Sequence, residues 1–334
     1  MNRIYDARLP AGVLLAVIVL SALLLVGCAT PPQTQRLSES APASLAGRVE
    51  LGHVPFFPQD AYQCGPAALA TLLNETGVGI EPEALVPEVY LPERQGSLQT
   101  ELLAAARARG LVAYRLAPEL EDVLREVAAG HPVLVFQNLG LQIVPRWHYA
   151  VVIGYDLPAQ EIILRSGTIE RHVNSFSLFE RTWLRAGRWA FVTVRPDRLP
   201  ATAGPLTWLQ AANALESTGQ TDAAATAYET ATEQWPEHPL GWMGLGNLRY
   251  KQKAYAAAEA AFRGLIRRQP EAHAAWNNLA YVLEASSCGK QARAAAACAL
   301  RLDPKNPGYL NTRADMRAVP DGVDCDPVSC PIPR

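Results

Sequence analysis

The sequence predicts two folded regions in series, an α+β domain followed by an all-α repeat solenoid. In the first half, amphipathic helical segments precede a series of short apolar strand segments, and this order favours α+β over a parallel sheet. From Pro205 onward the composition shifts to Ala-rich helical segments, and tryptophan recurs every 34 residues. A length of 334 residues also favours two domains over one.

The N-terminus has the pattern of a targeting segment. Arg3 and Arg8 precede an almost uncharged apolar run over residues 9–25, which ends in Leu-Val-Gly-Cys at Cys28. This ending resembles a bacterial lipobox, which implies cleavage before Cys28 and lipidation of its thiol and amine. We therefore expect a signal peptide over residues 1–27 and a lipidated, Pro/Ser-rich tether over residues 28–47. Ala29 after the lipid cysteine resembles lipoproteins sent to the outer membrane, facing the periplasm; a plain membrane anchor is the alternative.

Residues 48–198 are predicted to form the α+β domain. A helix should begin near Cys64, because Pro66 suits a first helical turn and Gly77 suits the residue that ends a helix. Two further helices are predicted over 97–109 and 118–129. Strands are predicted over 111–116, 132–136, 147–155, 161–164, 171–176 and 189–194.

Residues 203–317 contain three copies of a 34-residue pattern, and a capping helix is expected at their end. The pattern resembles the tetratricopeptide repeat family, which implies stacked helix pairs that bind a protein partner. Residues 318–334 form a Cys/Pro-rich tail. The residues that carry the period are Trp208, Trp242 and Trp276; Ala224, Ala258 and Ala292; and Pro236, Pro270 and Pro304.

Cysteine usage separates one thiol from the others. Cys28 is assigned to the lipid, and the expected compartment is oxidising. Four cysteines near the C-terminus are therefore disulfide candidates whose pairing stays open among three possibilities: Cys288, Cys298, Cys325 and Cys330. Cys64 is left without a partner, as expected of a reactive thiol.

Two further side chains complete a candidate catalytic set around Cys64. A thiol at a helix N-terminus is favoured as a thiolate, and Gln59 is placed five residues upstream as an amide donor for an oxyanion. Of six histidines, His148 is the preferred base, because an imidazole at the head of an apolar strand needs a partner. His53 and His172 are minor candidates.

The motifs Gln59-x4-Cys64-Gly-Pro-Ala and His148-Tyr-Ala-Val-Val-Ile-Gly-Tyr resemble the double-glycine-leader cysteine peptidases, which have a papain-like fold. The resemblance implies Cys64 as nucleophile, His148 as general base and then acid, and Gln59 as oxyanion donor. That family places an orienting Asp on the strand after the histidine strand, where this chain has Leu-Arg-Ser-Gly. Asp156 would lie about 26 Å along the strand from His148. Ser166 is therefore the predicted orienting residue, with Thr168 and Asn174 behind it.

Composition limits the partners. A net charge of −2 gives no reason to expect nucleic acid binding, and no pattern of metal ligands or phosphate-binding loop implies a cofactor. The sequence predicts a membrane-anchored periplasmic cysteine peptidase whose protein or peptide substrate is recruited by the repeats. Two alternatives remain open: an amidase or acyltransferase acting on cell-wall peptide, or a binding scaffold with a weak or inactive site.

Overall fold

The computed structural model describes residues 30–59, 63–323 and 325–331. Its N-terminal region contains a seven-stranded sheet. Six strands follow the order β2-β7-β3-β4-β5-β6, and β1 pairs with the C-terminal end of β4. Every strand pair is antiparallel, which confirms the α+β prediction. The strands are β1 Arg48–Glu50, β2 Val112–Arg115, β3 Val133–Asn138, β4 Trp147–Asp156, β5 Glu161–Ser166, β6 Ile169–Ser175 and β7 Ala190–Val194.

Six α-helices in the described part of the chain accompany the sheet. The helix that begins at Cys64 is central, because all its residues from Gly65 to Leu73 are buried and it contacts β3, β4 and β7. A helix that is apolar on all sides is typical of a core position. The helices are α1 Pro32–Glu39, α2 Cys64–Glu75, α3 Pro82–Val89, α4 Gln99–Ala108, α5 Leu120–Ala128 and α6 Phe176–Leu184.

Three of these helices, α1, α3 and α6, were not predicted. Helix α6 begins where the predicted strand over 171–176 ends, and the Ser175 side chain caps it by accepting a hydrogen bond from the Leu178 N–H. Phe176, Phe179 and Trp183 are its buried aromatic residues, at the i, i+3 and i+7 positions of one helix face. The short strand β1, which lies before His53, was also not among the predicted strands.

Part of the predicted tether is an ordered helix, and this corrects the expectation for residues 28–47. The N-terminus of α1 is held by the buried carboxylate of Glu180 in α6, which accepts hydrogen bonds from the Gln33 N–H at 3.1 Å and the Thr34 N–H at 2.7 Å. Arg188 balances the charge of this carboxylate at 3.3 Å. Free N–H groups at a helix start need acceptors, and here the acceptor comes from a distant helix, so the local sequence carried no sign of it.

Glu180→Gln is expected to lower the free energy of unfolding by about 1–3 kcal/mol, because one amide oxygen cannot replace both carboxylate oxygens at buried donors. Urea unfolding and protease cleavage within residues 30–40 measure the effect. Glu119→Gln is the matched control, because Glu119 pairs with Arg36 of the same helix at an exposed site and surface pairs contribute about 0–1 kcal/mol. Equal effects of the two substitutions would contradict the clamp role of Glu180.

The C-terminal region consists of three helix pairs and a capping helix, as predicted. Small residues face large ones between the helices: Gly246 lies against Phe262, and Gly264 lies against Trp242. The Trp242 and Trp276 indoles each donate a hydrogen bond of 2.8 Å to a proline carbonyl six residues earlier. The helices are α7 Pro205–Ser217, α8 Thr221–Gln234, α9 Pro239–Lys251, α10 Tyr255–Arg268, α11 His273–Ala285, α12 Gly289–Leu302 and α13 Pro307–Arg317.

The two regions share a hydrophobic core that runs from the sheet into the first repeats. Buried Glu126 of α5 fixes the connecting segment by accepting hydrogen bonds from the Thr202 N–H at 2.7 Å and the Thr202 hydroxyl at 2.6 Å. The Tyr114 hydroxyl of β2 donates to the Thr202 carbonyl and accepts from the Gly204 N–H. The first repeat helix is thereby placed directly against the sheet domain.

The four predicted disulfide cysteines form two bonds, Cys288–Cys325 and Cys298–Cys330, which confirms the disulfide prediction and settles the pairing. The bonds hold the C-terminal tail along the last repeat, where Gln291 also donates a 2.8 Å hydrogen bond to the Cys325 carbonyl. Within the ranges given above, Cys64 is the free cysteine. No helix in the described part of the chain is both long and apolar enough to cross a membrane. Residues 1–29, including Cys28, lie outside the described residues.

Candidate active site

Cys64 is the first residue of α2, at the point where this helix meets β4. Three backbone N–H groups favour its thiolate, those of Tyr149 in β4, of Gly65 and of Cys64 itself. Burial acts in the opposite direction and more strongly, so that the pKa of the Cys64 thiol is raised above its ordinary value. The net pKa shift of Cys64 is opposite to the one expected from the helix N-terminus alone, because desolvation destabilises the thiolate more than these N–H donors stabilise it.

His148 is the second residue of β4, and its imidazole is half-buried. Its Nε2 lies 2.8 Å from the Ser166 hydroxyl. Burial, and then the charges of His172 and Arg146, lower the pKa of His148 from 6.5 to about 4. At neutral pH the His148 imidazole and the Cys64 thiol are therefore both uncharged. His148 lies in β4, and the same strand contacts the thiol.

Ser166 is the last residue of β5, directly before the two-residue turn formed by Gly167 and Thr168. Gly167 has a φ of +60°, a left-handed conformation that glycine adopts without strain. The Gly167 carbonyl accepts a hydrogen bond of 3.1 Å from the Gln59 N–H. The backbone of Gln59 is therefore fixed beside the turn that carries Ser166.

Buried Arg165 holds the segment before Gln59 in place. Its guanidinium donates to the Val54 carbonyl at 2.8 Å and to the Glu170 carbonyl at 2.8 Å. One side chain thus ties the chain that leads to Gln59 to the β5–β6 hairpin. Sequence reasoning gave no role to Arg165, although a charged residue at the end of an apolar strand is a usable signal.

The structure brings the four predicted residues together to different degrees. His148 and Ser166 are in direct contact, Gln59 reaches the same turn through its backbone, and Cys64 reaches β4 at the residue after His148. Among the described residues, no hydrogen bond links the Cys64 thiol to the His148 ring. Such bonds are often long in a free enzyme and shorten once substrate is bound. Residues 60–62 lie outside the described ranges.

Three other candidates lie elsewhere. His53 pairs with Glu75 at the last residue of α2, about 16 Å along the helix axis from Cys64. Asp156 lies at the opposite end of β4 from His148, where it accepts a hydrogen bond from the Ala159 N–H, as its position in the turn predicted. Asn174, a lesser candidate than Ser166 for orienting His148, pairs in register with Ile162, about 13 Å along β5 from Ser166.

Two residues of the site were missed by sequence reasoning. Tyr149 supplies a backbone N–H to the thiol, and its hydroxyl donates to the Ser97 carbonyl at 3.1 Å. The Ser97 hydroxyl is buried, has no hydrogen-bond partner among the described residues, and lies where a side chain at Gly65 would stand. Tyr149 could have been found from its place after His148, whereas nothing in the sequence links Ser97 to Gly65.

The chemistry available here is that of a thiol and a neutral imidazole with nearby backbone donors. Within the part of the chain that the structure covers, no group of three or more His, Cys, Asp or Glu side chains is arranged to hold a metal ion. An arrangement of this kind can perform nucleophilic attack on a carbonyl carbon with general-base assistance.

Comparison with known proteins finds a family model that matches part of each region. Residues 52–191 match the model of the Peptidase_C39 like family, and residues 209–267 and 255–307 match the model of the tetratricopeptide repeat. An uncharacterized protein of Methanothermobacter thermautotrophicus is 34% identical over 96 residues, which are 29% of this chain and 60% of the relative. The chain thus spans about 60% of that relative's length.

Two solved structures are similar to parts of this chain. A putative C39-like peptidase from Bacillus anthracis covers 44% of this chain and 98% of its own, with 21% identity and a TM-score of 0.37. The tetratricopeptide repeat domain of Arabidopsis OM64 covers 34% of this chain and 93% of its own, with 17% identity and a TM-score of 0.32. Residues 52–191 of this chain are thus similar to the C39-like peptidase family, and residues 209–307 are similar to tetratricopeptide repeats.

Proposed function

We propose that the chain is a cysteine peptidase that cleaves a protein or peptide recruited by its repeats. The observation that carries this proposal is the placement of His148: its Nε2 lies 2.8 Å from Ser166, and the next residue of the strand contacts the free thiol of Cys64. The match of this region to a peptidase family supports the same reading, and the repeats support binding of a protein partner.

The reaction would begin from a neutral pair. In the tautomer that carries its proton on Nε2, the nitrogen beside the Ser166 hydroxyl, His148 would accept the Cys64 proton at Nδ1 while sulfur attacks the carbonyl carbon. The negative oxygen of the tetrahedral intermediate would be stabilised by the Gln59 amide and by N–H groups at the start of α2. His148 then returns the proton to the leaving amine, and water hydrolyses the thioester with His148 again as base.

The location of the enzyme is part of the same proposal. The lipobox-like ending at Cys28 supports a lipid-anchored protein of the cell envelope, on the outer membrane and facing the periplasm. The two disulfides agree with an oxidising compartment. Metabolic labelling with a fatty-acid analogue tests the anchor, because Cys28→Ala should abolish the label while leaving the fold intact.

The decisive experiment compares the wild type with Cys64→Ala in two assays. A thiol-directed covalent probe should label the folded, purified wild type at Cys64 and not the variant. Proteomic comparison of envelope proteins from cells with each form should then show cleaved termini that depend on Cys64. These termini would also identify the substrate.

One observation favours a second function, that of a binding scaffold: the partner of the His148 ring is the Ser166 hydroxyl, whereas the resemblance to peptidases implies a carboxylate. Folded wild-type protein that resists the probe and yields no Cys64-dependent termini would support the scaffold and contradict the peptidase. Cys64-dependent release of fragments from cell-wall peptide, without protein cleavage, would instead indicate the amidase alternative.

A further inference from the structure

We infer that the loop over residues 139–146, between β3 and β4, inserts into a lipid bilayer. Leu141, Ile143 and Val144 are 66%, 86% and 65% exposed. Every residue from 141 to 147 is exposed. The residues that line a peptide groove are partly covered by its walls, whereas most of the surface of these side chains is exposed, as expected for a tip that a fluid apolar phase surrounds.

The loop is held in an ordered shape by buried Asn138. The Asn138 Oδ1 accepts hydrogen bonds of 2.9 Å from both the Gly140 N–H and the Arg146 N–H. The Leu139 N–H closes the loop by donating to the Arg146 carbonyl at 2.8 Å. A frame of this kind keeps the apolar tip away from the protein surface, where it would otherwise collapse.

The base of the loop has the chemistry of a membrane interface. Trp147 is 55% exposed, and its ring stacks on Phe136 with a centroid distance of 5.2 Å. Arg146 is exposed beside it. Aliphatic residues at the tip, followed by an aromatic and a cation at the base, match the order of chemistry from the acyl chains to the headgroups of a bilayer, and the cation favours anionic lipid.

The loop and the start of the described chain are connected to the same helix. Arg185, directly after α6, donates to the Asn138 carbonyl at 2.9 Å, and Glu180 of α6 holds the N-terminus of α1. These two points are about 8 Å apart along the helix axis. Cys28, the predicted lipidation site, lies shortly before α1 in the sequence, so a lipid anchor at Cys28 would hold the start of α1 near a membrane.

His148 follows the loop directly on β4. Insertion of the loop would therefore hold the active site at the bilayer surface. If the peptidase function proposed above is correct, the enzyme would cleave segments that lie close to a membrane. The loop inference itself concerns binding and does not depend on that function.

The test uses residues 28–334 carrying Cys28→Ser, which cannot be lipidated and retain every described contact, with vesicles of phosphatidylglycerol and phosphatidylethanolamine. In sedimentation, the protein should partition to the vesicles, and Ile143→Asp with Val144→Asp should weaken partitioning by about tenfold or more. The matched control is Leu206→Asp with Leu240→Asp, which changes residues of the repeats that are 58% and 52% exposed. The control should bind as the wild type does.

The rate of Cys64 labelling without vesicles should be equal in all three proteins, which verifies the fold separately from lipid binding. Failure of the wild type to bind vesicles would overturn the inference and favour a protein substrate as the occupant of the loop. Equal binding by the loop variant would also overturn it. So would slower Cys64 labelling in a folded loop variant, because the loop would then belong to the substrate site.

Discussion

Replacement of His148 by alanine is expected to lower kcat/KM for peptide hydrolysis by about 10³-fold, within the range of general acid–base catalysis. The pKa of the Cys64 thiol is raised by burial, so at neutral pH the nucleophile is protonated and needs a base during attack. The Nε2 of His148 is 2.8 Å from Ser166, which orients the ring for this role. Steady-state kinetics on a peptide identified by the proteomic comparison measures the loss.

A folding control is available in the same variant. Above the raised pKa of the thiol, Cys64 is a thiolate and needs no base, so alkylation by iodoacetamide at high pH should be equal in the wild type and in His148→Ala. His53→Ala is the matched histidine control, because His53 pairs with Glu75 at the other end of α2. Hydrolysis that survives in His148→Ala, or an equal loss in His53→Ala, would remove His148 from the mechanism.

The pH dependence of hydrolysis and of Cys64 alkylation follows from the pKa shifts of His148 and Cys64. With a pKa of about 4, His148 is neutral and able to accept a proton at any pH well above 4, and hydrolysis should fall only as the pH drops through that value. Alkylation of wild-type Cys64 should instead rise with pH through the neutral range, because its pKa is raised. An alkylation rate that is already maximal at pH 5 would show a thiolate–imidazolium pair and contradict a neutral resting site.

The features that could be predicted are those with local causes. The position of Cys64 at a helix N-terminus was predicted from the Pro and Gly that begin and end this helix. The position of His148 at the start of an apolar strand was read directly from the sequence pattern. The position of Ser166 near His148 could be predicted by counting residues from the turn after Asp156, because both strands of an antiparallel hairpin have the same rise per residue. The contact between His148 and Ser166 is as that count predicts, although the catalytic roles stay predictions.

The features that could not be predicted have distant causes. Helix α1 has no cap of its own and depends on Glu180, 146 residues away in the chain. The direction of the pKa shift of Cys64 depends on how deeply the sheet and its helices bury the thiol, and no local sequence pattern predicts this burial. Asn174 lies far from Ser166 because the β5–β6 turn is only two residues long. Strand β6 therefore runs antiparallel to β5 from Ile169, opposite Ser166, to Asn174, opposite Ile162.

Ser166 offers the second large effect, because a hydroxyl, and not a carboxylate, lies beside the His148 ring. A carboxylate beside His148 would favour the imidazolium, so Ser166→Asp should raise the pKa of His148 from about 4. A more basic imidazole accepts the Cys64 proton more readily, and we expect hydrolysis at neutral pH to increase by about tenfold or more. Ser166→Ala should reduce hydrolysis by about tenfold, because the ring loses its orienting partner.

The pH profile distinguishes an orienting role from a merely structural one. In Ser166→Asp the acid limb of hydrolysis should move to higher pH, since a raised pKa keeps His148 protonated over a wider acidic range. Thr168→Asp is the matched control: it adds the same charge to the same turn at an exposed position without the contact to His148. An equal shift in both variants would indicate long-range electrostatics, and no shift in Ser166→Asp would show that Ser166 does not orient His148. A shift confined to Ser166→Asp would mean that one substitution separates this site from a complete catalytic triad.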